Sequence, residues 1–516
     1  MGEQAPLTGP DLRNEGVPAS GVAEGEMVLG YADDKPVVLA RTGGDVFGVS
    51  GRCTHYGGPV GEGLFDGELL RCPWHHACFD VRTGRAVRAP ALNPLPCFEV
   101  EERDGRLYVG EQIESDWTPL PINDPPDSVV VIGAGAAAAA AVETLRDEGY
   151  RGRVTMISDE ETVPTDRPNL SKDYLAGKAP EEWMPLRSES FYEEHNVDLQ
   201  LGTKVTAVDA ARRSVRMADG SRMRYGALLL ATGADPIRLG LPGGDMPHVH
   251  YLRTLADSRA IIASAEGAAS AVVLGASFIG LEVAASLRQR EIEVHVVAPE
   301  HVLMEPVLGS AVGQLLQSLH EEHGVRFHLG HTANSIDDRI VVLDSGSEVA
   351  ADLVVIGVGV RPNTTLGETA GLEVDNGVVV DEYLRTSDPA IWAAGDIARY
   401  PDRRLDHHIR VEHWVVAQRQ GQAAARNILG RGIPYTEVPF FWSEHYDVRI
   451  NYVGHTEDWN VADISGNTAA RDATIGYRED QRIMAVASIN RDQDNLRAEL
   501  ALEQDDEDTL ERLIED

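Results

Sequence analysis

Cysteine is scarce in this 516-residue chain: four occur, at positions 53, 72, 78 and 97, and none follows Cys97. Cytosolic chains seldom carry structural disulfides, so these thiols are read first as metal ligands or buried apolar groups. Lysine is equally rare, with four residues, so nearly all positive charge is arginine. That charge is outweighed, because 46 Lys and Arg face 83 Asp and Glu, a net charge of −37. A surface of this sign repels phosphate backbones and excludes nucleic acid as a partner. The acidity fits a well-solvated surface from a GC-rich genome, and equally a high-salt habitat that screens self-repulsion. Long hydrophobic runs are missing too: no stretch of about 18 uncharged apolar residues occurs, so no membrane span is expected. The opening "MGEQAPLTGP" has neither the basic nor the apolar region of a secretion signal. Pro6 stands where a myristoylation signal after Gly2 needs Ser or Thr. A cytoplasmic chain is the expectation, with 43% apolar and 25% charged residues in about three or four domains of roughly 100–200 residues.

Two of the four cysteines are spent in a pattern. Cys53 and His55 form a C-x-H, and after sixteen intervening residues Cys72 and His75 form a C-x-x-H. Thiolate and imidazole on paired turns point to a metal centre, and both zinc and iron–sulfur accept this donor set. Cys78 and Cys97 are read as buried thiols, and His76 as a surface residue.

Residues 1–112 are rich in Gly and in short β-type runs such as "KPVVLA" and "RLYVG", with turn signals between them, which predicts an all-β domain. The Pro-dense "WTPLPINDPPDS" falls in a linker, 113–127. From Ser128 the texture becomes alternating strands and Ala/Leu-rich helices, the pattern of a three-layer α/β fold.

Two segments there share one design. In "SVVVIGAGAAAAAAVETLRDEG" a β-branched strand meets Gly133 and Gly135, which allow a tight turn and close approach to a pyrophosphate. Ala138 fills the third, small position, and Asp159 ends the next strand where a ribose hydroxyl would lie. In "AVVLGASFIGLEVAASL" the corresponding residues are Gly275, Ser277 and Gly280, with Ser a departure at the middle glycine. The following strand ends at Glu300, whose carboxylate favours NADH over NADPH by repelling a 2′-phosphate. Asp396, after Gly395 in "AAGDIA", suits a ribityl or pyrophosphate contact.

Residues 127–516 resemble the ferredoxin reductases of bacterial oxygenase systems and the apoptosis-inducing-factor-like flavoproteins. The motifs that carry the resemblance are "TDRPNLSKDYL", "ATGADP", "YLRTL", "GASFIGLEVAASL", "VGVRPN", "AAGDIA", "VEHW" and "FFWSEHYD", in family order. Residues 8–112 resemble ferredoxin-type Rieske domains, and the fusion is similar to Rieske-bearing apoptosis-inducing-factor-like proteins. The resemblance implies an FAD-binding domain at 128–245 and 368–435, an NADH-binding domain at 246–367, and a C-terminal α+β reductase domain at 436–516 that could support a homodimer. It implies FAD contacts at Gly133, Gly135, Ala137, Asp159, Arg167, Lys172, Val205, Arg253, Asp396 and Trp414, with Thr232, Gly233, Gly359, Glu412 and His413 also at the cofactors. NADH would lie against Gly275, Ala276, Ser277, Phe278, Ile279, Gly280 and Glu300. Glu282, Lys172 and Trp442 would stand at the reacting flavin.

Disulfide-reducing flavoproteins place a cysteine pair at the flavin, and this chain has no cysteine left to supply one. Electrons need another exit, and a Rieske 2Fe–2S cluster is one: Cys53 and Cys72 on one iron, His55 and His75 on the other. High-potential Rieske proteins add a disulfide, a Ser and a Tyr near the cluster. Gly58, Trp74, Ala77 and Phe79 occupy those positions here, which predicts a potential near the low end, about −150 mV. The reading is an NADH-dependent FAD reductase feeding its own Rieske cluster and then a one-electron acceptor protein, such as a ferredoxin, oxygenase or cytochrome. The alternative is an NADH-sensing signalling flavoprotein with slow turnover.

Overall fold

The computed structural model describes residues 8–515; the first seven residues, read above for targeting signals, lie outside them. Two antiparallel sheets build the N-terminal domain. Six strands, in the order 17–18, 106–113, 97–103, 45–50, 35–42 and 27–32, make the larger one. The smaller has four short strands, 64–65, 69–71, 78–80 and 86–88 in sequence order. The loops 51–59 and 72–77 leave these sheets and carry the C-x-H and C-x-x-H residues. Val38, Val49, Leu70, Phe79 and both loop cysteines share one core beneath them.

Two parallel five-stranded sheets follow. In the first, strand Ser128–Ile132 lies between Arg153–Ile157 and Ala227–Leu230, with Val197–Gln200 and Ile391–Ala393 at the edges. In the second, Ser270–Leu274 lies between Glu293–Ala298 and Leu353–Ile356, with Arg326–Leu329 and Val249–Tyr251 outside. The central strands are buried on both faces, which is why they read as unbroken runs such as SVVVI and SAVVL. Helices Ala136–Asp147 and Phe278–Gln289 cross over each sheet from the Gly-rich turns.

Residues 440–515 form an antiparallel sheet of five strands, in the order 440–445, 448–454, 482–489, 472–479 and 461–467, with helices Asp492–Gln504 and Glu507–Glu515. Helix Trp414–Ile428 is buried along most of its length between the parts. Gly421 lets it touch helix Ala136–Asp147, since a Cβ there would stand 2.1 Å from the Ala137 carbonyl oxygen.

The segment after Ile113 is strapped to the molecule. Arg431 donates to the carbonyls of Leu120 and Pro121 at 2.8 and 3.0 Å, and Tyr150 Oη to that of Pro126 at 2.6 Å. The Arg85 guanidinium lies 4.0 Å over the Trp117 ring. Among the described residues no helix is long and apolar enough to cross a membrane.

Candidate functional site: a dinucleotide cavity joined to a metal centre

Gly133 and Gly280 are fixed by sterics. A Cβ on Gly133 would meet the Ala231 carbonyl oxygen at 2.1 Å, and one on Gly280 the Gly275 carbonyl oxygen at 2.3 Å. Gly135 is different. Its missing Cβ has only the Arg167 guanidinium near it, at 3.8 Å, so the space in front of the first helix stays open. The serine in the second turn has its own reason: Ser277 Oγ accepts from Gly280 N at 3.4 Å and donates to the Gly357 carbonyl at 2.9 Å. It caps the second helix and ties it to the neighbouring loop.

Both turns open into one cavity of about 1220 Å³. That exceeds the usual range for one small ligand, roughly 300–1,000 Å³. Gly133, Gly135, Ala137, Asp159, Arg167, Lys172, Val205, Thr232, Gly233, Arg253, Ser277, Phe278, Ile279, Gly280, Glu282, Gly359, Asp396, Glu412, His413, Trp414 and Trp442 all line it. Gly275, Ala276 and Glu300 are not on its wall. Gly275 packs its Cα against the Gly357 carbonyl, and Glu300 is exposed beyond the end of strand Glu293–Ala298.

Arg253 donates to Asp396 at 2.8 Å, and Arg167 to Glu160 at 2.5 Å, yet Nε of both arginines is buried without a partner. Two such donors on a cavity wall that also carries the N-terminus of helix Ala136–Asp147 suit a dinucleotide pyrophosphate. Glu282, 3% exposed, accepts from Lys172 Nζ at 2.8 Å and from the hydroxyls of Ser171 and Ser443 at 2.6 Å each. Burial pushes the Glu412 carboxyl up and the His413 imidazole down to about 4, and His413 stacks on Phe441 at 4.3 Å.

In the N-terminal domain, His55 Nδ1 and His75 Nδ1 stand 3.2 Å apart. Two nitrogens bound at about 2.1 Å to one tetrahedral metal lie roughly 3.4 Å apart. The buried Cys53 and Cys72 thiols act on each other, which lowers the pKa of Cys53 and raises that of Cys72. Among the described residues no three Cys, His, Asp or Glu side chains converge as a single-ion site requires. Nitrogen donors paired in one place and sulfur donors in another fit a binuclear iron–sulfur centre better than one zinc. Burial drives His55 down to about 3, and burial together with the neighbouring cationic groups, His55 and Arg449 first among them, holds His75 well below its usual value, so both imidazoles are in the neutral, ligating form.

The two sites touch. The ring of His75 lies 4.2 Å from that of Trp442, which lines the cavity. Tyr56, stacked on His55 at 3.9 Å, donates its hydroxyl to Asp166 and accepts from Asn169 Nδ2 at 3.3 Å, beside cavity residue Arg167. The Tyr56 hydroxyl is therefore turned to the reductase side.

His76 is a correction. Expected on the surface, it is 0% exposed: it stacks on Phe440 at 3.9 Å, its Nδ1 is 3.1 Å from Glu499, and its carbonyl accepts from Arg419 at 2.9 Å. Arg419 also donates to Glu499 at 2.8 Å, and Arg71 to Glu503 at 2.8 Å. Burial opposes ionisation of Glu499, but Arg419, His76 and Arg71 override it and hold the carboxyl well below the usual range. The partners lie more than 340 residues away, so no local signal marks this latch. Ser171 and Ser443 were also missed, although each sits inside a motif quoted above.

Residues 127–421 match the pyridine nucleotide-disulphide oxidoreductase family, 15–99 the Rieske [2Fe-2S] domain, and 440–516 the reductase C-terminal domain. Human apoptosis-inducing factor 3 is 30% identical over 487 residues, 90% of this chain and 79% of its own length. The ferredoxin–NAD(+) reductase component of the anthranilate 1,2-dioxygenase system of Burkholderia cepacia is 38% identical over 71% of this chain and 92% of its own. In the crystal structure of the covalent putidaredoxin reductase–putidaredoxin complex, one chain aligns with a TM-score of 0.71 and 34% identity, over 74% of this chain and 94% of that one. The chain belongs to the pyridine nucleotide-disulphide oxidoreductase family: it is an FAD- and NADH-dependent oxidoreductase with a Rieske 2Fe–2S domain at its N-terminal end.

Proposed function

We propose that Trp442 and His75 bridge the flavin cavity to a Rieske centre held by Cys53, His55, Cys72 and His75, and that an acceptor protein of the ferredoxin type takes electrons from this end of the molecule. The observation that carries the reading is the 4.2 Å contact between a cavity-lining tryptophan and the histidine of the C-x-x-H pair. FAD, when bound, converts hydride from NADH into single electrons, and the cluster carries them one at a time. The chain's own residues do the rest. The first glycine turn with Arg167, Arg253 and Asp396 holds FAD, and the second, with Ser277–Gly280 and Glu300, holds NADH. Lys172, Ser171 and Ser443 fix the Glu282 carboxylate at the cavity wall.

Ferredoxin enters because the relatives named above are a ferredoxin reductase and a reductase crosslinked to putidaredoxin. A cytoplasmic location belongs to the same reading. So does a homodimer through the C-terminal sheet, whose edge strand Val461–Asn467 exposes Val461 and Ile464.

The test is anaerobic stopped-flow with Cys72→Ser and Trp442→Leu. Cys72→Ser should lose about two irons per chain while staying yellow. Trp442→Leu should bleach with NADH at the wild-type rate but, with no ferricyanide present, deliver electrons to the cluster at least tenfold more slowly, a rise of about 1.4 kcal/mol in the barrier. Unchanged delivery in Trp442→Leu would remove the bridge. A long-lived NADH charge-transfer band without turnover on any acceptor would favour the sensor.

A further inference from the structure

A line of buried polar side chains leads from the cavity wall into the C-terminal domain. Glu282 Oε1 accepts from Ser443 Oγ at 2.6 Å, Ser443 Oγ lies 3.1 Å from His445 Nε2, and His445 Nδ1 lies 3.2 Å from His320 Nε2. Ser443 is 1% exposed and both histidines 0%. His445 ends the strand Phe440–His445, and His320 sits in the last turn of helix Glu305–Glu322. Beyond them, His320 Nδ1 and Tyr446 Oη are buried with no partner. The Tyr446 ring packs on His320, centroids 5.3 Å apart, and stacks on exposed His323 at 3.6 Å.

Packing alone does not ask for this. Two buried imidazoles with an unpaired nitrogen cost more than an apolar pair of similar volume. We infer that Ser443, His445 and His320 conduct a proton between Glu282 and solvent. The inference rests on the proposed function, in which NADH → NAD⁺ + H⁺ + 2e⁻: the electrons leave singly through the Trp442 side, and one proton per NADH must leave by another path.

Each link can both give and take a proton. Burial keeps His445 down at about 3 and His320 well below its usual value, so both rings are neutral, each with one N–H and one lone pair. In one set of tautomers every hydrogen points towards Glu282, and in the other every hydrogen points towards His320 Nδ1. Passing one proton along the line converts the first set into the second or the reverse. Tyr446 Oη, buried and unpartnered, is the polar group left to continue the line, and its ring packs on His320 and stacks on exposed His323.

The test uses the FAD-loaded full chain with His445→Gln and His320→Gln, mixed anaerobically with NADH and ferricyanide in the presence of a pH-indicator dye. Flavin bleaching should stay within about twofold of wild type, whereas proton appearance should lag by about 10²-fold, the usual share of a positioned proton carrier. Added imidazole should restore part of it. Two variants guard against a fold defect in one, and flavin content and circular dichroism identify it. A second readout needs no turnover: ¹⁵N-histidine NMR of the FAD-bound protein at pH 7 should show both rings neutral, and His320→Gln should shift His445 Nδ1. Protons released together with electrons in both variants would overturn the relay. If wild type failed to pass electrons singly, the functional reading would fall instead. Rings found charged or uncoupled by NMR would then still overturn the relay.

Discussion

The two dinucleotide folds follow one local plan and are covered in different ways. Each has a parallel sheet of five strands, a glycine turn, a crossover helix and a three-stranded antiparallel sheet at its side, 205–224 in the first and 333–350 in the second. In the first, helix Ala136–Asp147 is buried from Ala136 to Val142, because helix Trp414–Ile428 lies directly on it at Gly421. In the second, helix Phe278–Gln289 starts with a serine cap and leaves Ile279 44% exposed at its mouth. Two turns of one plan, differing at Gly135 and Ser277, thus start a helix covered by distant sequence and a helix whose first turn is exposed. The covered, closed one suits a cofactor that stays, and the exposed, open one a cofactor that enters and leaves with each turnover.

The largest effect should come from forcing the closed site apart. Gly421→Ala would place a methyl 2.1 Å from the Ala137 carbonyl oxygen and 3.0 Å from its Cα. Backbone cannot yield there, so about 1–3 kcal/mol of overpacking would fall on the helix that walls the cavity. The expected outcome is protein purified largely without flavin, read from the ratio of visible to ultraviolet absorbance. A fully yellow Gly421→Ala would show that the crossing helix is not what closes the first site.

The matching change in the open site should be milder and should separate the two folds. Gly280→Ala presses on the Gly275 carbonyl at 2.3 Å, within the second turn only. Flavin content should stay at wild-type level, while the KM for NADH rises at least about tenfold, or 1.4 kcal/mol. Equal loss of flavin in both glycine variants would end the distinction.

Much of this contrast was legible in the sequence, and part of it could not be. The glycine spacing, the acid after each second strand and the C-x-H/C-x-x-H pair act locally, so the residues announce themselves. The covering does not. Gly421 reads as one glycine in a helix, and only the approach of Ala137 makes it a constraint. His76 looked like an exposed neighbour of a ligand because Phe440, Arg419 and Glu499 are invisible from position 76. The Pro-rich stretch after Ile113 reads as a linker, yet Arg431, Tyr150 and Arg85 hold it down. The N-terminal domain is therefore docked through buried charge, and deleting it would leave Arg419 and Glu499 facing a bare surface. Point variants at Cys72 and Trp442 are the cleaner probes for that reason.

Glu300 sharpens the open site further. It is exposed beyond its strand and off the cavity wall, and the proposed reading puts it at the far ribose end of an entering dinucleotide. NADH should therefore exceed NADPH in kcat/KM by about one to three orders of magnitude, and Glu300→Arg should narrow the gap while leaving flavin content alone. Equal use of both by wild type would show that this carboxylate does not face the ribose.

The smallest effect concerns the tie between the folds. Glu181, from the segment that follows the TDRPNLSKDYL stretch, accepts from Arg259 at 2.9 and 2.6 Å and from Tyr174 at 2.6 Å. Arg259 belongs to helix Leu255–Ala265 beside the second fold, and it lines the shared cavity. The Arg259 guanidinium and then the Tyr174 hydroxyl hold the Glu181 carboxyl down at about 2, against an ordinary value of about 4.5. A depressed carboxyl contributes its stability above its unfolded pKa and loses it as pH falls through the folded one, so this tie should weaken between about pH 4.5 and 2. Both partners are close to half exposed, so solvent screens the pair and its share is under about 1 kcal/mol. Glu181→Gln should therefore lower the melting temperature slightly at pH 7 and not at all near pH 2, and high salt should mimic it. A melting-temperature difference that grew on acidification would show that Arg259, and not the carboxylate, is what joins the two folds.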